Sequence, residues 1–325
     1  MSNVRIGTSG WSYPSGRGTW NGVFYPAAPK GRRGSKTPRA KFDELAYYAE
    51  HFDTVEINST FYGQPKASVA QSWVDRTPED FEFSLKLFRQ LTHLDGGRVP
   101  QLDGACIDEY RRGVDPLARA GKLGAVLAQF PPSFKQSPES LGYLDELLGR
   151  LDEYPIAVEL RHRSWSDGFE ETLSLLNSRR AALAQIDEPK FKMSIRQNQL
   201  PNITGFYYMR LHGRNAAKWW RHDKSEDRYD YLYSDDELKE FTETASAARE
   251  LVKKAYLYTN NHFSAKSVVN AVMLKAQLGE PIEGEYPESM LNEYPELRAV
   301  VDESNRRVAP PEPTSSPVPS RSRGE

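Results

Sequence analysis

The strongest constraint on the fold is a series of eight short, β-rich runs that alternate with helical patterns along 325 residues. Runs such as GAVLAQF and PIAVEL are almost continuously apolar, which is typical of parallel strands covered on their outer face. The runs are Val4–Trp11, Thr54–Thr60, Phe81–Leu87, Gly124–Pro131, Pro155–His162, Ala181–Asp187, Gly205–Gly213 and Lys254–His262. Eight such strands favour an α/β protein, a single (β/α)8 TIM barrel, over an open doubly wound sheet, since the sequence contains no GxGxxG or P-loop motif.

Capping signals predict several of the helices between these strands. Ser137, which precedes a proline, is an N-cap candidate, and Ser234 with Glu237 has the spacing of a capping box. Ser264 is expected to cap a further helix that ends at Gly279, where a left-handed residue would terminate it.

Composition sets the predicted domain boundaries. One barrel domain is expected over residues 1–305, with a long basic insertion loop at 14–41 after the first strand. Residues 306–325 are rich in proline and serine, and they are predicted to form a disordered tail. The insertion loop contains no acidic residue, and its basic residues are Arg17, Lys30, Arg32, Arg33, Lys36, Arg39 and Lys41.

Charge and cysteine content limit the classes of function. The formal net charge of −2 excludes a global basic field of the kind that binds nucleic acid non-specifically. The single cysteine, Cys106, cannot form an internal disulfide, and the N-terminus lacks the apolar stretch of a signal peptide. No run of about 18 apolar residues is present to span a membrane. These features predict a cytoplasmic protein without a membrane partner.

Polar residues inside the strands recur two apart and therefore share one face of each strand. Glu56 and Asn58 follow this pattern, as do Arg210 and His212, whereas the opposite face is mostly apolar. Closing the barrel would bring the polar side chains together at the C-terminal rim, where barrel enzymes have their active sites. Because unpaired buried charges are costly, such a cluster must be mutually paired, hydrated or reserved for a ligand.

We therefore predict an enzyme that performs acid–base chemistry on a small, polar, anionic substrate such as a sugar or a phosphorylated compound. The predicted catalytic residues are Glu56, Lys86, Glu159, Asp187 and His212. The predicted substrate-binding residues are Trp11, Asn58, His93, Arg161, Trp165, Arg210, Tyr258, Asn260 and Asn261. In this hypothesis one carboxylate acts as acid and the other as base, the arginines clamp an anionic group, and the histidine carries protons near neutral pH.

Three alternatives remain open from the residues. Glu159, Asp187 and His212 could bind a divalent metal for hydrolysis or isomerisation, although Lys86 and the arginines would repel a cation. The basic loop could instead serve a nucleic-acid- or nucleotide-binding module without catalysis. A Schiff base at Lys86 is a minor variant of the enzyme hypothesis. No organic cofactor is predicted.

The ordered motifs IGTSGWSY, YYAEHFDTVEINSTFY, AQFPPSF, VELRHRSW, MRLHG and YLYTNNH resemble the domain of unknown function 72 family (YecE-like). The resemblance extends from about Arg5 to about Leu278, and the basic stretch Gly31–Lys41 departs from it. It implies a TIM barrel and a family without an established reaction that is sometimes described as related to sugar isomerases. The polar positions it carries over are Glu56, Asn58, Lys86, His93, Glu159, Arg161, Trp165, Asp187, Arg210, His212, Asn260 and Asn261.

Overall fold

Every strand pairing in the main sheet is parallel, and with one exception strands that follow each other in the chain lie side by side. The computed structural model describes residues 2–27, 42–93, 98–197, 205–221 and 224–308. The strands are β1 (Val4–Ser9), β2 (Thr54–Ile57), β3 (Glu82–Lys86), β4 (Leu123–Gln129), β5 (Ile156–Glu159), β6 (Ala182–Leu183), β7 (Gln185–Asp187), β8 (Tyr207–Leu211) and β9 (Ala255–Thr259). Their order in the sheet is β6-β5-β4-β3-β2-β1-β9-β8-β7.

The two ends of this sheet are consecutive in the chain, because only Ala184 separates β6 from β7. β6 pairs with β5 and β7 pairs with β8, so the two short strands together form the sixth strand of a barrel. The predicted eight-strand TIM barrel is therefore confirmed, and each predicted run contains its strand except that β4 begins one residue early, at Leu123.

Helices cover the outside of the barrel. They are α1 (Glu44–Ala49), α2 (Ala67–Asp75), α3 (Gly104–Arg119), α4 (Pro138–Arg150), α5 (Ser164–Asp167), α6 (Phe169–Ser178), α7 (Ala216–Trp219), α8 (Asp235–Arg249), α9 (Lys266–Leu278), α10 (Glu288–Glu293) and α11 (Pro295–Val308). Short 3-10 turns occupy Ser59–Phe61, Arg89–Leu91, Ser225–Tyr229 and Phe263–Ala265. No helix in the described part of the chain combines the length and the apolarity needed to cross a bilayer.

Two of the three predicted N-caps and the predicted C-terminal glycine have the expected geometry. The Ser137 hydroxyl accepts a hydrogen bond from the first turn of α4, and both bonds of the capping box between Ser234 and Glu237 are present in α8. Gly279 ends α9 with a φ of 72°, as predicted. The cap predicted at Ser264 is wrong, because α9 begins at Lys266 after a 3-10 turn in which Ser264 itself has a φ of 50°.

Apolar side chains fill two separate layers, as the alternation along the strands predicts. Val55, Phe83 and Val158 are fully buried between the sheet and the helices. Leu127 and Tyr258 belong to a second group inside the barrel, together with other tyrosines and small residues. This inner group fills the middle of the barrel and leaves its C-terminal end to polar side chains.

The predicted insertion loop and tail are described only in part. In the first half of the loop, Trp20, Phe24 and Tyr25 are fully buried in the outer apolar layer. Residues 28–41 lie outside the described residues. Helix α11 continues to Val308, so the first three residues of the predicted tail are helical, and 309–325 lie outside the described residues.

Candidate active site

A buried guanidinium, that of Arg210 on β8, stands at the centre of the polar cluster. Its Nε and Nη2 donate to the two carboxylate oxygens of Glu56 on β2 at 2.8 and 2.7 Å, and its Nη1 donates to Glu159 on β5. Glu56 also accepts hydrogen bonds from Ser9 and Tyr208, each at 2.7 Å. Because all three nitrogens of Arg210 bind carboxylates and its side chain is 1% exposed, the group is better placed to order the cluster than to clamp a substrate.

Both central carboxyl groups are held in the ionised state. Burial opposes ionisation of Glu56, but the Arg210 guanidinium and the hydrogen bonds from Ser9 and Tyr208 lower its pKa overall. Burial likewise opposes ionisation of Glu159, and Arg210 and Arg161 together hold its pKa well below the usual value. The sequence predicts that one of the two is protonated at neutral pH, whereas this geometry makes both of them anions.

Arg161 and His212 complete the cluster on the side of β5. Arg161 Nε donates to Glu159 at 2.7 Å, and its Nη1 lies 3.3 Å from an oxygen of Glu188. The His212 ring lies with Nε2 3.6 Å from Glu159, and the Asn260 amide lies 2.9 Å from its other nitrogen. Burial and then the Arg210 charge lower the pKa of His212 to about 4, so the imidazole is neutral at pH 7. A proton shuttle at neutral pH, as predicted from the residue type, has little support from this environment.

Lys86 is the cation of the cluster that the carboxylates do not bind. Within the described parts of the chain its Nζ makes no hydrogen bond or ion pair, and it lies 4.1 Å from the centre of the Phe61 ring. Burial, and then the charge of Arg210, lower the pKa of Lys86 to about 7. A substantial fraction of this side chain is therefore an uncharged amine at neutral pH.

A cleft of about 540 Å³ opens above the cluster at the C-terminal rim. Asn58, Lys86, Gln129, Arg161 and Asn260 line it from the strand ends. The Asn58 amide oxygen is buried and has no hydrogen-bond partner among the described residues. The cleft thus combines neutral amides with cations, which is the donor and acceptor set that a polar anionic molecule requires.

Loop residues outside the predicted catalytic and substrate-binding sets form one wall of the cleft. The His262 ring stacks on Tyr13, with 4.4 Å between the ring centres, and the Tyr229 ring centre lies 4.8 Å from that of His262. These three side chains line the cleft together with Arg17 and Arg228. They come from the loops after β1, β8 and β9, where no strand periodicity would reveal their common position.

Glu188, beside Arg161 at the edge of the cluster, is a further residue that sequence reasoning missed. It directly follows β7 and is 8% exposed beside Arg161. Burial raises its pKa despite the neighbouring guanidinium, so among the carboxyl groups near the cleft it titrates closer to neutral pH than Glu56 or Glu159. Its position one residue beyond a predicted catalytic aspartate was a signal that could have revealed it.

The structure thus brings eight of the predicted site residues together at the rim: Glu56, Asn58, Lys86, Glu159, Arg161, Arg210, His212 and Asn260. His93 lies next to them, in an adjoining cleft of about 610 Å³ that shares Tyr62 with the first. Its ring is 4.7 Å from that of Phe61, on which the Lys86 ammonium also lies. Burial and then the charge of Lys86 lower the pKa of His93 to about 4.

Asp187 does not reach this cluster, and its expected inward direction is wrong. Its carboxylate accepts hydrogen bonds from Arg214 at 2.8 and 3.0 Å and from the Tyr233 hydroxyl at 2.7 Å, on the side of α8. The polar residues of the broken sixth strand face outward because Ala184, between β6 and β7, occupies the interior position instead. The outward-facing carboxylate of Asp187 is thus paired with Arg214.

Four predicted binding residues also lie elsewhere. Trp11 packs edge-on against Trp73, and the Trp165 indole nitrogen donates to Phe134 in the outer layer. The remaining two make internal hydrogen bonds: Tyr258 with Thr54 and Ser84 below the cluster, and the Asn261 amide nitrogen with Tyr231 and with Asn270 on α9.

The metal hypothesis and the nucleic-acid hypothesis have different outcomes. The proposed metal ligands Glu159, Asp187 and His212 are not assembled, because the aspartate points away from the barrel. Among the described residues no group of three or more histidine, cysteine or acidic side chains is arranged to hold a metal ion. Residues 30–41, on which the nucleic-acid hypothesis depends, lie outside the described residues, so that hypothesis stays a prediction.

The chain is similar to two curated proteins, to one over most of its length and to the other over less than half of it. YunF of Bacillus subtilis (strain 168), a UPF0759 protein, is 27% identical over 279 residues, which cover 82% of this chain and 92% of YunF. YecE of Escherichia coli (strain K12) is 32% identical over 142 residues, 43% of this chain and 49% of YecE.

Two crystal structures of DUF72 family proteins have the same fold. The protein from Thermotoga maritima MSB8 is 33% identical, with a TM-score of 0.70 over 85% of this chain and 99% of that chain. The protein from Enterococcus faecalis V583 is 23% identical, with a TM-score of 0.71 over 88% and 98%. The family model described as "Protein of unknown function DUF72" matches residues 5–293, and the chain belongs to this family.

Proposed function

We propose that the protein is an enzyme that performs acid–base chemistry on a small, polar, anionic substrate bound in the rim cleft. The observation that carries this proposal is Lys86, whose amine faces the cleft without a hydrogen bond or an ion pair among the described residues. A cleft group whose pKa lies near neutral pH can both accept and donate a proton during a reaction.

The charges around the cleft support an anionic substrate. Five of the described side chains that line the cleft are basic and one is acidic, namely Glu226; the basic residues are Arg17, Lys86, Arg161, Arg210 and Arg228. Glu56 and Glu159 lie below them and are already paired. Negative charge that develops on a bound substrate would therefore be stabilised by groups that are already fixed in position.

Hydroxyl groups on the substrate also have partners in the cleft. Asn58, Gln129 and Asn260 present amides beside Lys86, and an amide both donates and accepts hydrogen bonds. A polyhydroxylated compound with a phosphate or carboxylate group matches this combination. In the proposed reaction Lys86 exchanges a proton with the substrate, and Glu188, whose pKa is raised by burial, is the candidate second acid or base.

A thermal-shift screen of sugar phosphates and hydroxy acids tests the binding part of this proposal. Compounds that bind the native cleft should raise the melting temperature of the wild type but not of Lys86→Met. Lys66→Met is the matched control, because Lys66 is an exposed lysine at the start of α2. If no compound stabilises the wild type, or if all of them stabilise Lys86→Met equally, the cleft is not the predicted substrate site.

Proton transfer is then measured directly on the compounds that bind. Incubation in deuterium oxide should exchange carbon-bound hydrogen in an enzyme-dependent way, visible by proton NMR, and Lys86→Met should abolish the exchange. Glu188→Gln should slow it by roughly 10²–10⁴-fold, the usual contribution of one acid or base. Exchange that persists unchanged in both variants would contradict the assignment of these two residues.

The proposal includes the location of the protein in the cell. We place the enzyme in the cytoplasm, because its single cysteine, Cys106, is a free and buried thiol. Cell fractionation with an antibody against the native protein would test this location.

A further inference from the structure

We propose that the Lys86 amine is a nucleophile that forms a covalent imine with the carbonyl carbon of an aldehyde or ketone carrying an anionic group. This inference deepens the proposed function and rests on it, because it assigns the class of substrate to the same cleft.

The first support is the exposure of the nitrogen to the cleft. Lys86 ends β3, and its side chain lines the cleft while its Nζ lies over the Phe61 ring at 4.1 Å. An aromatic face desolvates the ammonium without taking up its protons, so the nitrogen remains open to attack a ligand. A nucleophilic lysine in an active site requires this kind of partly apolar environment.

Two buried lysines elsewhere in the fold have amines that donate hydrogen bonds to protein oxygens. Lys122 donates three hydrogen bonds, to Val74 and to two oxygens of Thr77, at 2.8–3.0 Å. Lys275 donates to the carbonyl of His51 at 2.9 Å. Both nitrogens are therefore used by the backbone of neighbouring elements, whereas the described residues offer Lys86 no such partner.

The second support is the fixed positive charge next to Lys86. Arg210 and Arg161 are bound to Glu56 and Glu159, so neither can rotate away without leaving a buried carboxylate unpaired. Their charges favour the neutral amine over the ammonium, in keeping with the lowered pKa of Lys86. The same charges would stabilise the oxygen that becomes negative when the amine adds to a carbonyl group.

The reaction is balanced without any oxidant or metal. The Nζ lone pair forms the new bond to the carbonyl carbon, and the electrons of the C=O π bond move to oxygen. The oxygen takes up one proton, nitrogen loses one, and a carbinolamine results. A second proton converts the hydroxyl group into departing water while nitrogen forms the C=N bond and releases its remaining excess proton. Glu188, beside Arg161, is the candidate donor of that second proton.

Borohydride trapping tests the imine. The native chain is incubated near neutral pH with dihydroxyacetone phosphate, glyceraldehyde 3-phosphate, pyruvate or phosphate-free dihydroxyacetone, and then with sodium borohydride. Reduction leaves an adduct whose mass equals that of the carbonyl compound less one oxygen atom. At pH 7 Lys86 contains roughly a thousandfold more free amine than an ordinary lysine with a pKa of about 10.4. Peptide mapping should therefore find the adduct at Lys86.

We expect the anionic probes to label Lys86 more strongly than phosphate-free dihydroxyacetone, with the adduct retained in Lys66→Met and absent from Lys86→Met. Mapping on the wild type identifies the site even if Lys86→Met folds poorly. Absence of an adduct at Lys86 with every probe, or labelling there no stronger than at exposed lysines, would overturn the inference.

A parallel thermal-shift measurement with the same probes separates the two proposals. Stabilisation without an adduct would overturn the imine and leave the proposed acid–base enzyme standing. Loss of both stabilisation and adduct would remove both proposals for these substrates.

Discussion

Replacing Arg210 by methionine would test whether this guanidinium is the structural centre of the rim cluster. The substitution removes two hydrogen bonds to Glu56 and one to Glu159, and both carboxylates are fully buried. Removing one partner of a buried ion pair usually costs about 3–5 kcal/mol, because the remaining charge is left uncompensated. We expect Arg210→Met to lower the free energy of unfolding by at least this amount, since two carboxylates lose their partner.

The cost should depend on pH in a defined direction. In the wild type Arg210 holds the carboxyl pKa values below their unfolded values, so their stabilising contribution is lost only as the pH falls through those lowered values. Without Arg210, burial dominates for Glu56, whose pKa in the folded state should rise above the unfolded value. The variant then gains protons as the pH falls, so its deficit relative to the wild type should be smaller at about pH 5 than at about pH 8.

Urea denaturation followed by circular dichroism at these two pH values measures the difference in free energy of unfolding. Arg179→Met is the matched control, because Arg179 makes a similar two-pronged pair with Asp145, at 2.6 Å for both bonds, on the surface. Exposed pairs contribute little, so the control should be indistinguishable from the wild type. If Arg210→Met cost no more than the control, or if its cost did not change with pH, the central role of Arg210 would be refuted.

Four further outcomes follow from the same contacts. Acylation of Lys86, mapped by mass spectrometry, should reach half its maximal rate near pH 7, far below the value for an ordinary lysine. Because the folded state disfavours the charged lysine, Lys86→Met should raise the free energy of unfolding, and the gain should be largest below pH 7. The gain should become smaller as the pH rises towards the pKa of lysine in the unfolded chain. A lower stability of Lys86→Met below pH 7 would contradict the assigned environment. Asp187→Asn should reduce the melting temperature, because Arg214 loses its buried partner, yet leave the ligand-induced shifts unchanged. The NMR signals of His212 should not titrate between about pH 5.5 and 8, since its pKa is lowered to about 4.

The strands could be predicted from the sequence because their signal is local. Runs such as the one around β5 are apolar and bounded by turn residues, and the two-residue alternation shows which side chains share a face. That rule placed Glu56, Lys86 and Arg210 correctly at one rim. It failed for Asp187, because the strand is broken at Ala184 and a polar residue on the outer face looks the same in sequence as one on the inner face.

The pairing within the site could not be predicted from residue types. The sequence shows three basic residues and two carboxylates on four different strands, but strand position alone does not say which charges meet. In the fold Arg210 binds both Glu56 and Glu159, Arg161 shares Glu159, and Lys86 is left over. The stacking of Tyr13 on His262 in the cleft wall could not be predicted either, because the two residues come from loops whose positions depend on the whole barrel.

The distribution of partners across the cluster separates its structural part from its reactive part. Replacing buried ion pairs by apolar residues is often neutral or stabilising, so the Arg210 network by itself is weak evidence of function. Lys86 differs, because an amine desolvated over Phe61 next to two guanidinium groups makes the fold less stable and gains no hydrogen bond from the described residues in return. Destabilising residues of this kind are concentrated at sites where activity requires them. The paired arginines and glutamates then have a definite role: Glu56 and Glu159 hold Arg210 and Arg161 in place, and the charges of these two guanidinium groups favour the neutral form of the Lys86 amine at the mouth of the barrel.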